Sequence, residues 1–355
     1  MKKVAVVGTQ GVPAKYGGFE TLVENIIGDN CSADIQYTIF CSSKDFRVRH
    51  DSYKNCRLLY VPLHANGVQS ILYDIWSLCR TMRGYDTILV LGTSGCCFLP
   101  FFRLFCHTRL IVNIDGLEHR RGKWGKWAKW FLRESEIVAM KYADVVIADN
   151  KGIQEYVRET YHKTPVLIAY GGDHVEREVA AGKQMEILQQ YGVSSGGYCI
   201  SVCRIEPENN CHVILEAFAK TGKKLVYIGN WERNDYGKAL KEKYSNYANI
   251  IIHEPEYDLD TLYALRSHAA AYVHGHSAGG TNPSLVEAMF FGKPIVAFDC
   301  VYNRTTTYEK AYYFKDCDSL LELINHTDLN GREMRVIASE KYTWKKIASQ
   351  YESLY

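Results

Sequence analysis

Among the twelve cysteines of this 355-residue chain there is no CxxC pair. Cys96 and Cys97 are adjacent, a spacing that suits neither a zinc site nor a dithiol redox motif. Free thiols in a reducing, cytoplasmic setting are expected. No apolar run is long enough to cross a bilayer. The longest uncharged stretch, 87–102, is interrupted by Gly92, Gly95 and Pro100 and closed by Arg103, so it reads as a buried strand and a helix. Charge of one sign is scarce as well. A net charge of +2 argues against a general nucleic-acid binder, although local patches can still matter. No secretion signal is read at the start, where Met1-Lys2-Lys3 runs directly into a β pattern. No GxGxxG fingerprint with a following acidic residue occurs, which weighs against an NAD enzyme. No DxD motif sits beside a strand. Asp258-Leu259-Asp260 and Asp316-Cys317-Asp318 are expected to cap helices, and neither a metal nor another cofactor is anticipated.

What is present is a regular alternation. Short apolar strands are read at 4–7, 37–41, 57–61, 87–91, 109–114, 145–148 and 165–168, with helices between most of them. After Tyr170-Gly171-Gly172-Asp173 the theme repeats, with strands at 198–202, 224–228, 250–253, 270–273 and 294–298. Such alternation predicts parallel sheets covered on both faces. The length suits two domains. The expectation is an α/β chain of two doubly wound, Rossmann-like domains facing a cleft, 1–172 and 173–338. A last helix within 339–355, with Ile347, Tyr351 and Leu354 on one face, is expected to return to the first domain. Ligands of such sheets sit beyond the carboxyl ends of the strands.

The segment His274-Gly275-His276-Ser277-Ala278-Gly279-Gly280-Thr281-Asn282-Pro283-Ser284-Leu285-Val286-Glu287 is the most informative. A strand leads into a Gly-rich turn, and Asn282-Pro283 reads as N-cap and first helical residue. Backbone amides there suit a phosphate. Glu287, one turn later, can accept hydrogen bonds from sugar hydroxyls. The same residues also describe an ordinary strand–loop–helix connection. Arg204, at the end of the strand 198–202, suits bidentate phosphate binding; its alternative is a surface ion pair with Glu206 or Glu208.

In the first half, the glycines of 8–18 permit close backbone approach to a phosphate or sugar, or make a plain turn. Asp115, Glu118 and His119 follow the strand 109–114, where carboxylates and an imidazole can bind an acceptor or steer its proton. The run 119–133 holds six basic residues and no acid. Arg120, Arg121, Lys123, Trp124, Lys126 and Trp127 are read as a patch for an anionic membrane or a lipid-carried acceptor. Burial of the tryptophans in the core is the other reading.

Three groups of residues carry a resemblance across essentially the whole chain. They are Arg204-x-x-Pro207-Glu208 with Glu216-Ala217-Phe218; Pro283-x-x-x-Glu287-Ala288-Met289-x-x-Gly292-x-Pro294; and, in the first half, Gly8-Thr9-x-Gly11-x-Pro13-x-x-Tyr16-Gly17-Gly18-Phe19-Glu20-Thr21 with Asn113-Ile114-Asp115-Gly116-Leu117-Glu118. The chain resembles family 4 retaining glycosyltransferases of the GT-B fold, and within them the bacterial rhamnosyltransferase-like subgroup of surface polysaccharide synthesis. The resemblance implies metal-independent transfer of a hexose, with L-rhamnose from dTDP-L-rhamnose ahead of UDP-sugars. It implies a saccharide acceptor carried on polyprenyl diphosphate, and a cytoplasmic enzyme peripheral to the inner face of the membrane. A nucleotide-sugar epimerase and a non-catalytic nucleotide-sugar binder remain alternatives. The implied donor site is Arg204, Asn209, Gly280, Thr281, Asn282, Ser284, Leu285 and Glu287. Asp115, His119 and Arg204 are the catalytic candidates, and Gly17, Gly18, Phe19 and Glu118 serve the acceptor or a phosphate. Two departures stand out. Gly279 occupies the place of a glutamate usual in the broader family, and Asn209 that of a lysine.

Overall fold

The computed structural model describes residues 1–14, 17–28, 31–122, 124–326 and 328–355. It divides into two compact units: Met1–Tyr170 with Trp344–Tyr355, and Gly171–Thr343.

The first unit runs β1 Lys2–Val7, α1 Gly18–Ile26, β2 Ile35–Ser42, β3 Ser52–Tyr53, β4 Cys56–Val61, α2 Gln69–Arg80, β5 Thr87–Leu91, α3 Leu99–Phe105, β6 Arg109–Asn113, α4 Lys126–Tyr142, β7 Val145–Ala148, α5 Lys151–Tyr161 and β8 Val166–Leu167. Its sheet is ordered β3-β4-β2-β1-β5-β6-β7-β8, and every pairing except β3–β4 is parallel. Val4, Ala5, Val6 and Val7 are fully buried. A strand that is apolar on both faces needs helices above and below it, which the crossover connections of a parallel sheet supply.

The second unit runs α6 Ala181–Gln190, β9 Tyr198–Val202, α7 Cys211–Ala219, β10 Lys224–Ile228, α8 Asp235–Tyr244, β11 Ile250–His253, α9 Leu259–His268, β12 Ala271–His274, α10 Pro283–Met289, β13 Ile295–Phe298, α11 Val301–Thr306, β14 Tyr312–Phe314, α12 Cys317–Asn325 and α13 Arg332–Lys341. Its sheet, β11-β10-β9-β12-β13-β14, is wholly parallel. Asp258 and Asp316 accept from Thr261 N–H and Ser319 N–H as the N-caps of α9 and α12, so both acidic pairs begin helices.

The final helix, α14 Trp344–Glu352, belongs to the first unit. Trp344, Ile347, Ala348 and Tyr351 join Val4, Val6, Leu22 and Ile26 in one core. Residues 339–343, grouped with this helix in the sequence reading, fall in the second unit, because α13 runs on to Lys341. One 17-residue helix, α4, spans most of 119–142 and carries the second half of the basic run. None of the twelve cysteines forms a disulfide, and no helix among the described residues is long and apolar enough to cross a membrane.

Candidate functional site

In the second unit β9 and β12 are parallel neighbours, so their carboxyl ends open on one edge of the sheet. The loops that follow, 203–210 and 275–282, are stitched together. Ser277 donates to the Glu208 carbonyl through its N–H at 2.9 Å and its hydroxyl at 2.8 Å. Asn210 Nδ2 donates to the Gly275 carbonyl at 2.8 Å. Gly275 permits this approach, since a Cβ there would run into the Asn209 carbonyl oxygen.

Asn209, only 2% exposed, is the centre of the stitching. Its Nδ2 donates to the Arg204 carbonyl at 2.6 Å and its Oδ1 accepts from His276 Nδ1 at 2.7 Å. Both ends of the amide are engaged, so Asn209 positions the Arg204 loop instead of presenting itself to a ligand. Arg204 itself is half-buried. No ion pair holds it among the described residues, and neither Glu206 nor Glu208 is its partner. A guanidinium kept without a carboxylate at a strand end is ready for an anion.

The turn before α10 follows from its residues. Gly279 has φ 108°, where side chains are strained. A glutamate at this position would therefore require a different loop, a physical reason for the departure seen in the sequence. Asn282 caps α10, its Oδ1 accepting from Ser284 N–H at 3.0 Å and the Ser284 hydroxyl at 2.7 Å. Leu285 N–H donates to the Asn282 carbonyl at 3.1 Å. Two of the expected donor-site residues are already engaged within the fold. The Ser284 amide is occupied by the cap, and Leu285, fully buried, belongs to the core. Gly280 and Thr281 are both buried in the turn.

Glu287 stands on α10 with two cationic or protonatable neighbours. Arg266 Nη2 donates to Oε2 at 2.7 Å, and His174 Nε2 lies 3.5 Å from Oε1. Burial alone would raise this carboxyl, but the Arg266 charge and the His174 hydrogen bond outweigh it and hold it at about 2. Glu287 is thus a fixed acceptor with its charge secured. Sequence reading missed Arg266. Its signal was available, because the residue shares the apolar stripe Leu262, Leu265 and Ala269 at helical spacing and is 3% exposed. His274, at the end of β12, is 1% exposed, and burial pushes its imidazole down to about 3. It is neutral, and its Nε2 has no hydrogen-bond partner.

In the first unit β1, β5 and β6 are consecutive in the sheet. The loops after β1 and β6, holding the two groups of candidates, therefore share one edge. Glu20 organises the first. Its Oε1 accepts from Thr9 Oγ1 at 3.0 Å and from Gln10 N–H at 2.8 Å, and burial raises its pKa against those hydrogen bonds. Gly17, φ 128°, leaves the space that this carboxyl fills. Gly18 lies against the Tyr170 hydroxyl. Phe19 packs on the core. Tyr16 lies outside the described residues.

Asp115 has φ 57°, and its N–H donates to Asn113 Oδ1 at 3.0 Å. Asn113 Nδ2 in turn donates to the Tyr351 hydroxyl at 2.7 Å, so the C-terminal helix buttresses this loop. Both oxygens of Glu118 are engaged: Arg121 Nη1 lies 2.8 Å from Oε1, and Trp124 Nε1 donates to Oε2 at 3.0 Å. Arg121 Nη2 is also 3.9 Å from Asp115 Oδ2. The Arg120 guanidinium lies over the Tyr156 ring, 4.5 Å from its centroid. Arg121 and Trp124 were expected in a membrane-facing patch, yet carboxylates of the same loop turn them inward. Lys123 lies outside the described residues. Lys126 and Trp127 are exposed on α4. His119 Nδ1 is 3.1 Å from Glu136 Oε2, and Glu136, buried in mid-helix, also accepts from the hydroxyls of Tyr156 at 3.2 Å and Tyr161 at 2.7 Å. Sequence reading missed Glu136.

Comparisons with known proteins match these two halves. Residues 1–173 match a domain of unknown function (DUF1972), and residues 185–329 match glycosyl transferases group 1. No curated protein sequence matches the chain. Among solved structures, sucrose-phosphate synthase from Thermosynechococcus elongatus is similar at a TM-score of 0.83 and 16% identity, over 100% of this chain and 98% of that one. HepE from Anabaena, in complex with UDP, is similar at 0.77 and 15%, over 99% of both chains. The catalytic domain of starch synthase IV from Arabidopsis thaliana, bound to ADP and acarbose, is similar at 0.69 and 13%, over 99% and 98%. The two Rossmann-like units thus share the GT-B fold of these structures, and residues 185–329 carry the match to glycosyl transferases group 1.

Proposed function

We propose that this chain transfers a hexosyl group, with retention, from a nucleoside diphosphate to a saccharide acceptor, as family 4 enzymes do. dTDP-L-rhamnose is the first donor to test. UDP-sugars come second, a choice supported by HepE having been solved with UDP-glucose. The proposed acceptor is a saccharide on polyprenyl diphosphate, met at the inner face of a membrane during surface polysaccharide synthesis.

The observation that carries the reading is Arg204 at the end of β9: its guanidinium has no ion pair among the described residues, Asn209 holds its backbone carbonyl, and its loop is stitched to the loop before α10. In this reading Arg204 and the Gly280–Asn282 backbone bind the diphosphate. Glu287, ionised and fixed by Arg266, accepts from ribose hydroxyls. The bond from the anomeric carbon to the diphosphate oxygen breaks, and a bond from that carbon to the acceptor oxygen forms. The released diphosphate oxygen takes the acceptor's proton, and Arg204 stabilises the charge that develops there. Asp115 and His119 are proposed to orient the acceptor.

The test is thermal-shift titration with dTDP-L-rhamnose, dTDP, UDP-glucose, UDP, GDP-mannose and NAD, repeated on Arg204→Ala and Glu287→Ala. Stabilisation by a dTDP or UDP species that both variants lose supports the reading. Stabilisation by NAD alone, or near-normal transfer by Arg204→Ala, refutes it.

A further inference from the structure

The surface of the first unit carries exposed apolar side chains that have no covering partner among the described residues. On α3, Phe101, Leu104 and Phe105 are 52%, 69% and 63% exposed. Phe98, Phe101 and Phe105 form a continuous row, with ring centroids 5.2 and 5.1 Å apart. On the neighbouring α4, Trp127 and Trp130 are 84% and 59% exposed, and Ile137 follows on the same stripe. Large aromatic side chains at this exposure, on two adjacent helices, are unusual on a monomer's surface.

The two helices are fixed to each other. The Arg103 guanidinium of α3 donates to the Tyr142 carbonyl at 3.0 and 2.9 Å and to Asp144 at 2.7 Å. At the other end Cys97 N–H donates to Ser135 Oγ at 3.0 Å. The apolar face is therefore a built feature and not a frayed segment.

Charge beside the α4 tryptophans selects the occupant. Lys126, Lys129 and Arg133 accompany the tryptophans on α4, and none pairs with a carboxylate among the described residues. Glu134 is the exposed acid on the helix, and α3 has none. Aromatic residues backed by an excess of cations over acids match the interface of an anionic bilayer, where tryptophan rings settle at headgroup level and lysines meet lipid phosphates. We infer that α3 and the first half of α4 form the surface by which this protein docks on an anionic phospholipid membrane. In the preceding loop Arg121 and Trp124 are held by Glu118, and the Arg120 guanidinium lies over the Tyr156 ring, so these three side chains already have partners. The inference gives the proposed lipid-carried acceptor a place to be met, and rests on that reading only for its purpose.

Co-sedimentation of the full chain with vesicles tests it, using phosphatidylcholine with and without phosphatidylglycerol and no donor or acceptor. Binding is expected only where phosphatidylglycerol is present, weakening as salt rises. Trp127→Ser/Trp130→Ser and Phe101→Ser/Leu104→Ser/Phe105→Ser should each weaken it by at least about tenfold. Lys126→Gln/Lys129→Gln/Arg133→Gln should remove the preference for phosphatidylglycerol. Transfer to a water-soluble acceptor should be unchanged in the Trp pair variant, which separates failure of docking from failure of catalysis. No vesicle binding, equal binding to phosphatidylcholine alone, or a dimer in light scattering that the same serine variants dissolve would each overturn the proposal.

Discussion

Arg266, buried, and Glu287, half-buried, form an ion pair, Nη2 to Oε2 at 2.7 Å, between the helices that precede and follow β12. Its consequence is a pH dependence of stability. The Glu287 carboxyl is held at about 2, below its ordinary 4.5. A depressed carboxyl stabilises the fold at pH above its unfolded value and loses that stabilisation as pH falls through the folded one. On the order of 3 kcal/mol should therefore disappear across that acidic window. Urea denaturation at about pH 7, 4 and 3 measures it. Arg266→Met should cost roughly 3–5 kcal/mol at neutral pH, by leaving Glu287 half-buried beside a single weak partner. Its acid dependence should be flatter than the wild type's. An equally steep acid loss in the variant would show that another group is responsible.

Asn209→Lys tests the stitched loops. The resemblance would suggest that a lysine here adds a phosphate contact. The structure predicts the opposite, because the Asn209 amide is 2% exposed and holds both Arg204 and His276. A lysine would lose the acceptor for His276 and bury an ammonium. Stability should fall by about 2–4 kcal/mol, and donor affinity should fall with it. Tighter nucleotide binding in calorimetry, with the melting temperature unchanged, would show that the loop can rearrange and that Asn209 is not its clip.

Much of the fold was open to sequence reading for a physical reason. Strands such as Val4–Val7 and Leu225–Ile228 are apolar on both faces, and only a parallel sheet covered by helices buries both. The division of the chain after Tyr170 falls within the break in alternation at Tyr170–Asp173. Arg204 and Glu287 were visible because each follows a recognisable strand or cap. What could not be read were pairings made across the fold. The acidic partner of His119 lies 17 residues on, and that of Arg266 lies 21 residues on. Arg121 and Trp124 were read into a membrane or lipid-acceptor patch because local spacing cannot reveal that Glu118 folds back on them. The exposed row on α3 escaped notice for the opposite reason. A short apolar run does not tell which side of its helix is covered, and only Leu99 and Phe102 of that helix are buried.

Tyr351→Phe probes a connection between the terminal helix and the Asp115 loop. The hydroxyl accepts from Asn113 Nδ2, and Asn113 Oδ1 accepts from the Asp115 amide, which sits at φ 57°. Removing the hydroxyl leaves a buried amide hydrogen without an acceptor, at about 1–3 kcal/mol. The loop should loosen, so turnover should fall while binding of the free nucleotide stays the same. A matching loss of nucleotide affinity would instead indicate a global effect on the fold.

The Glu136 carboxylate offers the sharpest test of the acceptor side. It fixes His119 through Nδ1 and is held in turn by Tyr156 and Tyr161. With Nδ1 as the donor, Nε2 is left as the atom that can meet an acceptor hydroxyl. Glu136→Gln preserves the shape of the side chain and removes its charge, so the His119 ring loses its fixed tautomer. If His119 orients the acceptor, turnover should fall by about 10- to 100-fold in both Glu136→Gln and His119→Asn, while nucleotide binding is unchanged. The double variant should be no slower than His119→Asn alone, since the carboxylate acts only through the ring. Multiplicative losses would mean that Glu136 is a structural anchor for α4 and α5. No loss in His119→Asn would remove the imidazole from the reaction and leave Asp115 as the candidate on that loop.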